Sequence, residues 1–342
     1  MKKFFLIILT LGATVYFYYW YVRGIDILLG GDEGVSIETY QSFATRIQSK
    51  SAPKASVWLK AAPMPEPLVG VAAAAIKDVV YVVGGSDGFA RTVDVVFAYD
   101  TVRDSWSKAQ SLPKALHHVA LVADGGKLYA IGGLEGIAST PSKTMFIYDP
   151  GTNSWKTGAM PPKAIGGAAA AVLGDKIHVI DGLGYGGASD SHVSYDVPTG
   201  RWLTEEAMNS VRGYLGGAAI GGKLYAIGGS EGSVASNTAT IEVFDPATSL
   251  WDTLEPMPSR RGRIASVVFD GKIYVFGGEA ATATFDRVDV YDPKTRSWSA
   301  APSMPTARHG LGAAVVGAKI FVIGGGRRPG LSVSDVNEVL VP

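Results

Sequence analysis

The sequence predicts an all-β fold, a propeller of six four-stranded blades closed into a ring, and three regularities of spacing carry that reading. Tryptophans stand at 58, 106, 155, 202, 251 and 298, so the chain repeats every 47 to 49 residues. An apolar run ends in Gly-Gly or Asp-Gly 26 residues after each of them, at 84, 132, 181, 228, 277 and 324. An aromatic-Asp pair follows at Tyr99-Asp100, Tyr148-Asp149, Tyr195-Asp196, Phe244-Asp245 and Tyr291-Asp292, each aspartate six residues before the next tryptophan. A period of this size marks a supersecondary unit that buries its apolar face only against copies of itself.

Each part of the unit has a physical reason. Runs such as Lys223-Leu224-Tyr225-Ala226-Ile227 and Lys272-Ile273-Tyr274-Val275-Phe276 have strand length and β-favouring side chains. The glycine pair lets strand ends crowd together near an axis without Cβ clashes. Asp149-Pro150 and Asp292-Pro293 form turns, Asp by capping and Pro by presetting φ. A tryptophan on the outermost strand is large enough to fill the space between blades. All variation in length falls between the glycine mark and the aromatic, a gap of 14 to 16 residues that holds the loop from the second strand to the third. The last unit reaches Asp335 to Pro342 without a fourth strand or tryptophan, whereas the first begins with only a fourth strand, Ala55 to Lys60 around Trp58. That N-terminal strand is expected to complete the last blade and leave no free sheet edge.

Gly-Gly, Tyr-Asp-Pro and Trp at a period near 48 residues resemble the kelch repeat, whose unit is one propeller blade. The resemblance covers residues 54–342 and implies a six-bladed kelch β-propeller. It implies little about activity, because propellers serve as enzymes, receptors and scaffolds alike.

Two segments precede the repeats. Lys2 and Lys3 stand before an uncharged run from Phe4 to Val22, closed by Arg23. At about 1.5 Å per residue this run spans roughly 28 Å as a helix, close to the thickness of a bilayer core. Its second half, Tyr16-Phe17-Tyr18-Tyr19-Trp20-Tyr21, suits the interfacial belt. Residues 1–23 are therefore expected to be a signal-anchor, with one transmembrane helix crossing the membrane through residues 4–22. A cleaved secretory signal is the alternative, for which Gly12-Ala13-Thr14 is a poor cleavage site. In both cases the lysines favour a cytoplasmic N-terminus and a periplasmic or extracellular propeller. No Asn-x-Ser/Thr sequon occurs, which favours a bacterial exterior. Residues 24–53 read as a linker or stalk, with a short amphipathic helix over Ile37, Tyr40, Ala44 and Ile47 as the other reading.

The 31 basic and 31 acidic residues cancel, so the basic footprint of a nucleic-acid binder is missing. The absence of cysteine excludes disulfides, thiolate metal sites and a cysteine nucleophile. It also excludes the cysteine-tyrosine crosslink of the copper oxidases in the kelch family. No cofactor is called for. A metal site on His117-His118 is not expected either, because neighbouring residues on a strand point to opposite faces.

A site is expected where the connections between blades meet the loops from second to third strands, at the mouth of the central channel. The innermost strand is entered ten residues after each tryptophan, at Leu68, Leu116, Ile165, Arg212, Arg261 and Arg308. Three consecutive blades thus place arginine at one equivalent position, an expected basic arc across half the mouth. His117, His309, Tyr214 and Arg263 stand one or two positions later, and the loops add Asp87, Glu135, Tyr185, Glu231, Glu279 and Arg327. Fork-shaped cations suit a carboxylate or another anion. The alternative is that each arginine bonds only loop carbonyls and neighbouring acids. In some kelch proteins an arginine at this place contacts acidic peptides or sugar carboxylates. Together with the N-terminal apolar run, the resemblance leads to the expectation of a membrane-anchored recognition module for a protein segment or a glycan, anionic in character. A second expectation is an enzyme resembling the exported kelch mutarotases of sialic acid. Glu231 or Glu279 would then be catalytic, moving the anomeric hydroxyl proton beside Arg212 and Arg261. A purely architectural role is the third.

Overall fold

Six four-stranded antiparallel sheets follow one another along the chain. The computed structural model describes residues 56–180 and 182–342, and Ser56–Pro342 form one compact unit. The expected transmembrane segment and linker lie outside the described residues. Among the described residues no helix is long and apolar enough to cross a membrane.

The innermost strands are Ala72–Ile76, Ala120–Asp124, Ala169–Leu173, Gly216–Ile220, Ala265–Phe269 and Gly312–Val316. Each lies beside the next around the axis, and the last lies beside the first. Alanine and glycine dominate these strands, which lets six backbones converge on one narrow channel. The second strands, such as Lys127–Ile131 and Lys223–Ile227, are buried along nearly their whole length. The apolar clusters straddle blades: Val80, Val82, Phe97 and Tyr99 of the first blade pack with Phe321, Ile323 and Val339 of the sixth.

The sixth blade closes the ring as the truncated last repeat requires. Val57–Lys60 pairs antiparallel with Asn337–Val341, setting Trp58 opposite Leu340. Every repeat tryptophan also clamps the blade before it. Each indole Nε1 donates to the carbonyl four residues past the preceding tryptophan, from Trp106 to Ala62 round to Trp58 to Pro302, at 2.8 to 3.2 Å.

The glycine marks answer to a real steric limit. Gly84 has φ 61°, and a Cβ there would lie 2.1 Å from the Leu116 carbonyl oxygen of the next blade. Any side chain would force the two blades apart.

Candidate functional site

The three arginines of the expected arc do not face the mouth. Arg212, Arg261 and Arg308 are fully buried inside their own blades. Each meets an acid on the third strand of the same blade: Glu242 at 3.2 Å, Asp289 at 2.5 Å and Glu338 at 2.8 Å. Each also donates to backbone carbonyls at the glycine mark, as Arg261 does to Gly277 at 2.7 Å and Arg308 to Gly324 at 2.9 Å. Burial pulls Arg261 and Arg308 down to about 10, partly offset by the acid each one faces, so both stay charged at neutral pH. The first three blades put Leu68, Leu116 and Ile165 at this position, and Phe97, Phe146 and Val193 where the acids stand. Half of the ring thus solves one packing problem with oil and half with buried ion pairs. The expectation of a ligand-binding arc at these three residues is corrected: their forks are buried inside their own blades, facing an acid and backbone carbonyls, and only Arg261 Nε is left without a partner among the described residues.

The mouth is built one and two positions further on. Gly70, His118, Gly167, Tyr214, Arg263 and Gly310 occupy one equivalent position in the six blades, and all have φ between 50° and 66°. Their backbones form a collar of N–H to carbonyl bonds of 2.7–2.8 Å, running His118 to Gly70 to Gly310 to Arg263 to Tyr214 to Gly167. The left-handed turn overrides strand alternation, so His117 and His118 do meet, with their Nδ1 atoms 2.7 Å apart. The reasoning that kept these two side chains on opposite faces fails for this reason.

Glycines leave room for the three large collar side chains. A Cβ on Gly70 would lie 2.6 Å from the His118 ring, and one on Gly167 would lie 3.0 Å from the Tyr214 ring. His118 and Tyr214 meet edge to face at 5.0 Å, and the Arg263 guanidinium lies 4.3 Å from the Tyr214 ring centroid. Together they floor a cavity of about 430 Å³ whose wall also includes His117, Glu279 and His309.

Glu279, 1% exposed, organises this floor. It is ion-paired with Arg263, accepts the Gly330 N–H at 3.1 Å, and lies 3.5 Å from His309 Nε2. The other N–H groups of Arg263 have no partner among the described residues. His309 Nε2 faces the Arg328 carbonyl at 2.9 Å, so that nitrogen carries the proton and Nδ1 keeps a lone pair without a partner. In the same way His117 Nε2 faces the Gly136 carbonyl at 3.4 Å and its Nδ1 accepts from His118, which leaves His118 Nε2 buried and bare. Burial lowers all three histidines below the usual imidazole value, most strongly His118, whose protonated form would also be repelled by Arg263 and by any proton added to His117 or His309.

Of the expected residues the fold thus gathers Arg263, His117, His309, Tyr214 and Glu279. Asp87 instead holds Arg91 and caps its own loop, and Glu135 pairs with Lys114 at 2.6 Å. Tyr185 is 76% exposed at the tip of a small hairpin, and Glu231 and Arg327 are exposed loop residues. Gly84 to Gly88 and Gly228 to Gly232 both spell Gly-x-Ser-x-Gly, but Ser86 and Ser230 sit in bridges with no α-helix after them, unlike a nucleophile elbow.

A profile of the Attractin/LZTR1 β-propeller matches residues 80–337, three quarters of the chain. The chain belongs to this kelch-type propeller family. No curated protein matches it. A solved structure described as "Structure of YjhT" is similar with a TM-score of 0.68 at 15% identity, over 80% of this chain and 95% of that one. Matching solved chains number 1011, so this likeness speaks for the fold alone.

Proposed function

We propose that the protein is a recognition module whose ligand, a protein segment or a glycan, presents an anionic group to Arg263 in the mouth cavity. The carrying observation is that Arg263, alone among the four innermost-strand arginines, lines the cavity, where all its guanidinium N–H groups but the one facing Glu279 lack a partner among the described residues. Ala90, Ile137, Val234 and Leu331 give that cavity an apolar rim, which suits the body of a ligand whose charged end goes to the floor. The test is a screen of sugar acids and acidic peptides against the full chain in detergent. The best ligand should bind about tenfold or more weakly to Arg263→Ala, and more weakly as salt rises. Unchanged affinity in that variant would sink the reading.

A second reading, a sugar-acid mutarotase, is favoured by His118, which lines the cavity and whose buried Nε2 has no partner among the described residues. Both oxygens of Glu279 are engaged, so His118 replaces it as the candidate proton carrier. Exchange NMR of sugar-acid anomers with and without the protein decides this. We also propose that residues 4–22 hold the propeller on the outer side of a membrane as an uncleaved anchor. Mass spectrometry of the mature protein should then find Lys2 and Lys3 still attached.

A further inference from the structure

The third blade departs from the other five in one layer of its interior. His178 stands at the centre of its second strand, where the others carry Tyr81, Tyr129, Tyr225, Tyr274 and Phe321. Opposite it is Ser194, in place of Ala98, Ile147, Val243, Val290 and Val339. Three residues after the tryptophan comes Glu205, in place of Ala61, Ala109, Gly158, Leu254 and Ala301. His192, 1% exposed, begins the third strand where four other blades have an aliphatic residue or methionine.

These side chains form one connected group. His192 Nδ1 faces the Glu206 carbonyl at 3.2 Å, so its Nε2 accepts from His178 Nδ1 at 2.8 Å. His178 Nε2 is left with a lone pair and no partner among the described residues. Ser194 donates to Glu205 at 2.6 Å. The lysine that opens the second strand also changes partner. Lys127, Lys223 and Lys272 reach the aspartate of their own aromatic-Asp pair, whereas Lys176 turns to Glu205 at 3.3 Å. Among the described residues the Asp196 carboxylate then keeps only Thr199 as a bonded partner.

Beside this group a cavity of about 540 Å³ opens between the third and fourth blades, bounded by His178 and Glu205 on one side and by Phe244 and Pro246 on the other. Asp175, Asp196 and Glu205 line it against the single ammonium of Lys176, an excess of negative charge. The other five blades fill the places of His178, Ser194 and Glu205 with no charge and no imidazole, so the fold itself does not need these groups there, and burying them costs stability. We infer that this cleft is a second ligand site, one that takes a small organic amine. An ammonium donates to the bare imidazole nitrogen and balances the surplus carboxylates. A neutral hydroxyl would satisfy the imidazole and leave the charge unbalanced. Nothing in this inference depends on the mouth cavity.

The probe is spermidine, titrated calorimetrically and by histidine NMR into the full chain in detergent, with glucose as the neutral comparison. Spermidine should bind one to one and move the His178 resonances. Glu205→Gln, which keeps the shape, should weaken binding about tenfold or more. The double variant His178→Tyr with His192→Ile, which rebuilds the pattern of the fourth blade, should abolish it. No binding to the parent, equal binding to both variants, or glucose moving the same resonances would each overturn the assignment.

Discussion

Arg261 donates to Asp289 at 2.5 Å, and neither side chain has any surface in contact with solvent. Leu68 and Phe97 hold the same two places in the first blade. The repeat therefore supplies its own comparison for what the ion pair is worth. Arg261→Leu alone leaves a buried, half-compensated carboxylate and should cost about 3–5 kcal/mol of unfolding free energy. Adding Asp289→Phe should recover most of that loss, since apolar replacement of a buried pair is often neutral and Arg287, the other cation on Asp289, is exposed enough to be hydrated instead. Urea denaturation of the single and double variants checks this. A double variant no more stable than the single one would show that the pair is not interchangeable with the oil of the first blade.

Acid should loosen the propeller before carboxylates begin to titrate. Burial holds His192 down at about 4 against an ordinary value of 6.5, and His117, His118, His178 and His309 are lowered as well. A depressed histidine is neutral in the fold and protonated in the unfolded chain between those two values. The unfolded state then binds more protons, so stability is complete above about pH 6.5 and is lost as pH falls. His192 alone should cost about 2 kcal/mol by pH 5. Melting temperatures from pH 8 to pH 5 measure the slope, and His178→Tyr with His192→Ile should flatten it.

Gly70→Ala tests the collar. The new Cβ would lie 2.6 Å from the His118 ring at a φ of 66°, so the ring must move and the backbone is strained. A loss of about 1–2 kcal/mol is expected for the left-handed conformation alone. The His118 resonances should shift together with those of Tyr214, whose ring it touches. A shift confined to His118 would mean that the collar side chains are not packed as one unit.

The closing strand can be removed separately from what precedes it. Deletion through Lys60 takes away Val57–Lys60, the Trp58 bond to Pro302 and the edge-to-face contact of Trp58 with Phe276. Trp58→Ala alone should cost about 3 kcal/mol. Deletion through Ser49 should melt like the parent, and equal melting of the two deletions would contradict the closure.

The fold was readable because its signals repeat: one tryptophan decides nothing, whereas six at constant distance from a glycine mark do. The site was readable only in part. His117, Tyr214, Arg263, His309 and Glu279 were found from their place after the tryptophan or the glycine mark, which is a matter of counting. Arg212, Arg261 and Arg308 were misplaced because counting does not say which way a residue points. A clue was present, for Glu242, Asp289 and Glu338 each stand two residues before the residue in the aromatic-Asp place, on the inward parity of a buried strand. An acid there needs a cation, and only those three blades have one. His118 escaped because alternation was assumed through a residue with φ 50°, a turn that no local sequence pattern announces.

The bond from the Trp58 indole to the Pro302 carbonyl joins residues 244 apart, and the strand that pairs with Trp58 comes later still, at Asn337–Val341. A chain made or exported from its N-terminus therefore carries the Val57–Lys60 strand unpaired until almost every other strand has appeared. During that interval the segment is an open sheet edge with an exposed indole, able to pair with a second copy as readily as with its own last blade. Assembly of this ring is a race between its slowest contact and its neighbours. The odds should worsen with protein concentration and with any interruption that delays the final five-residue strand.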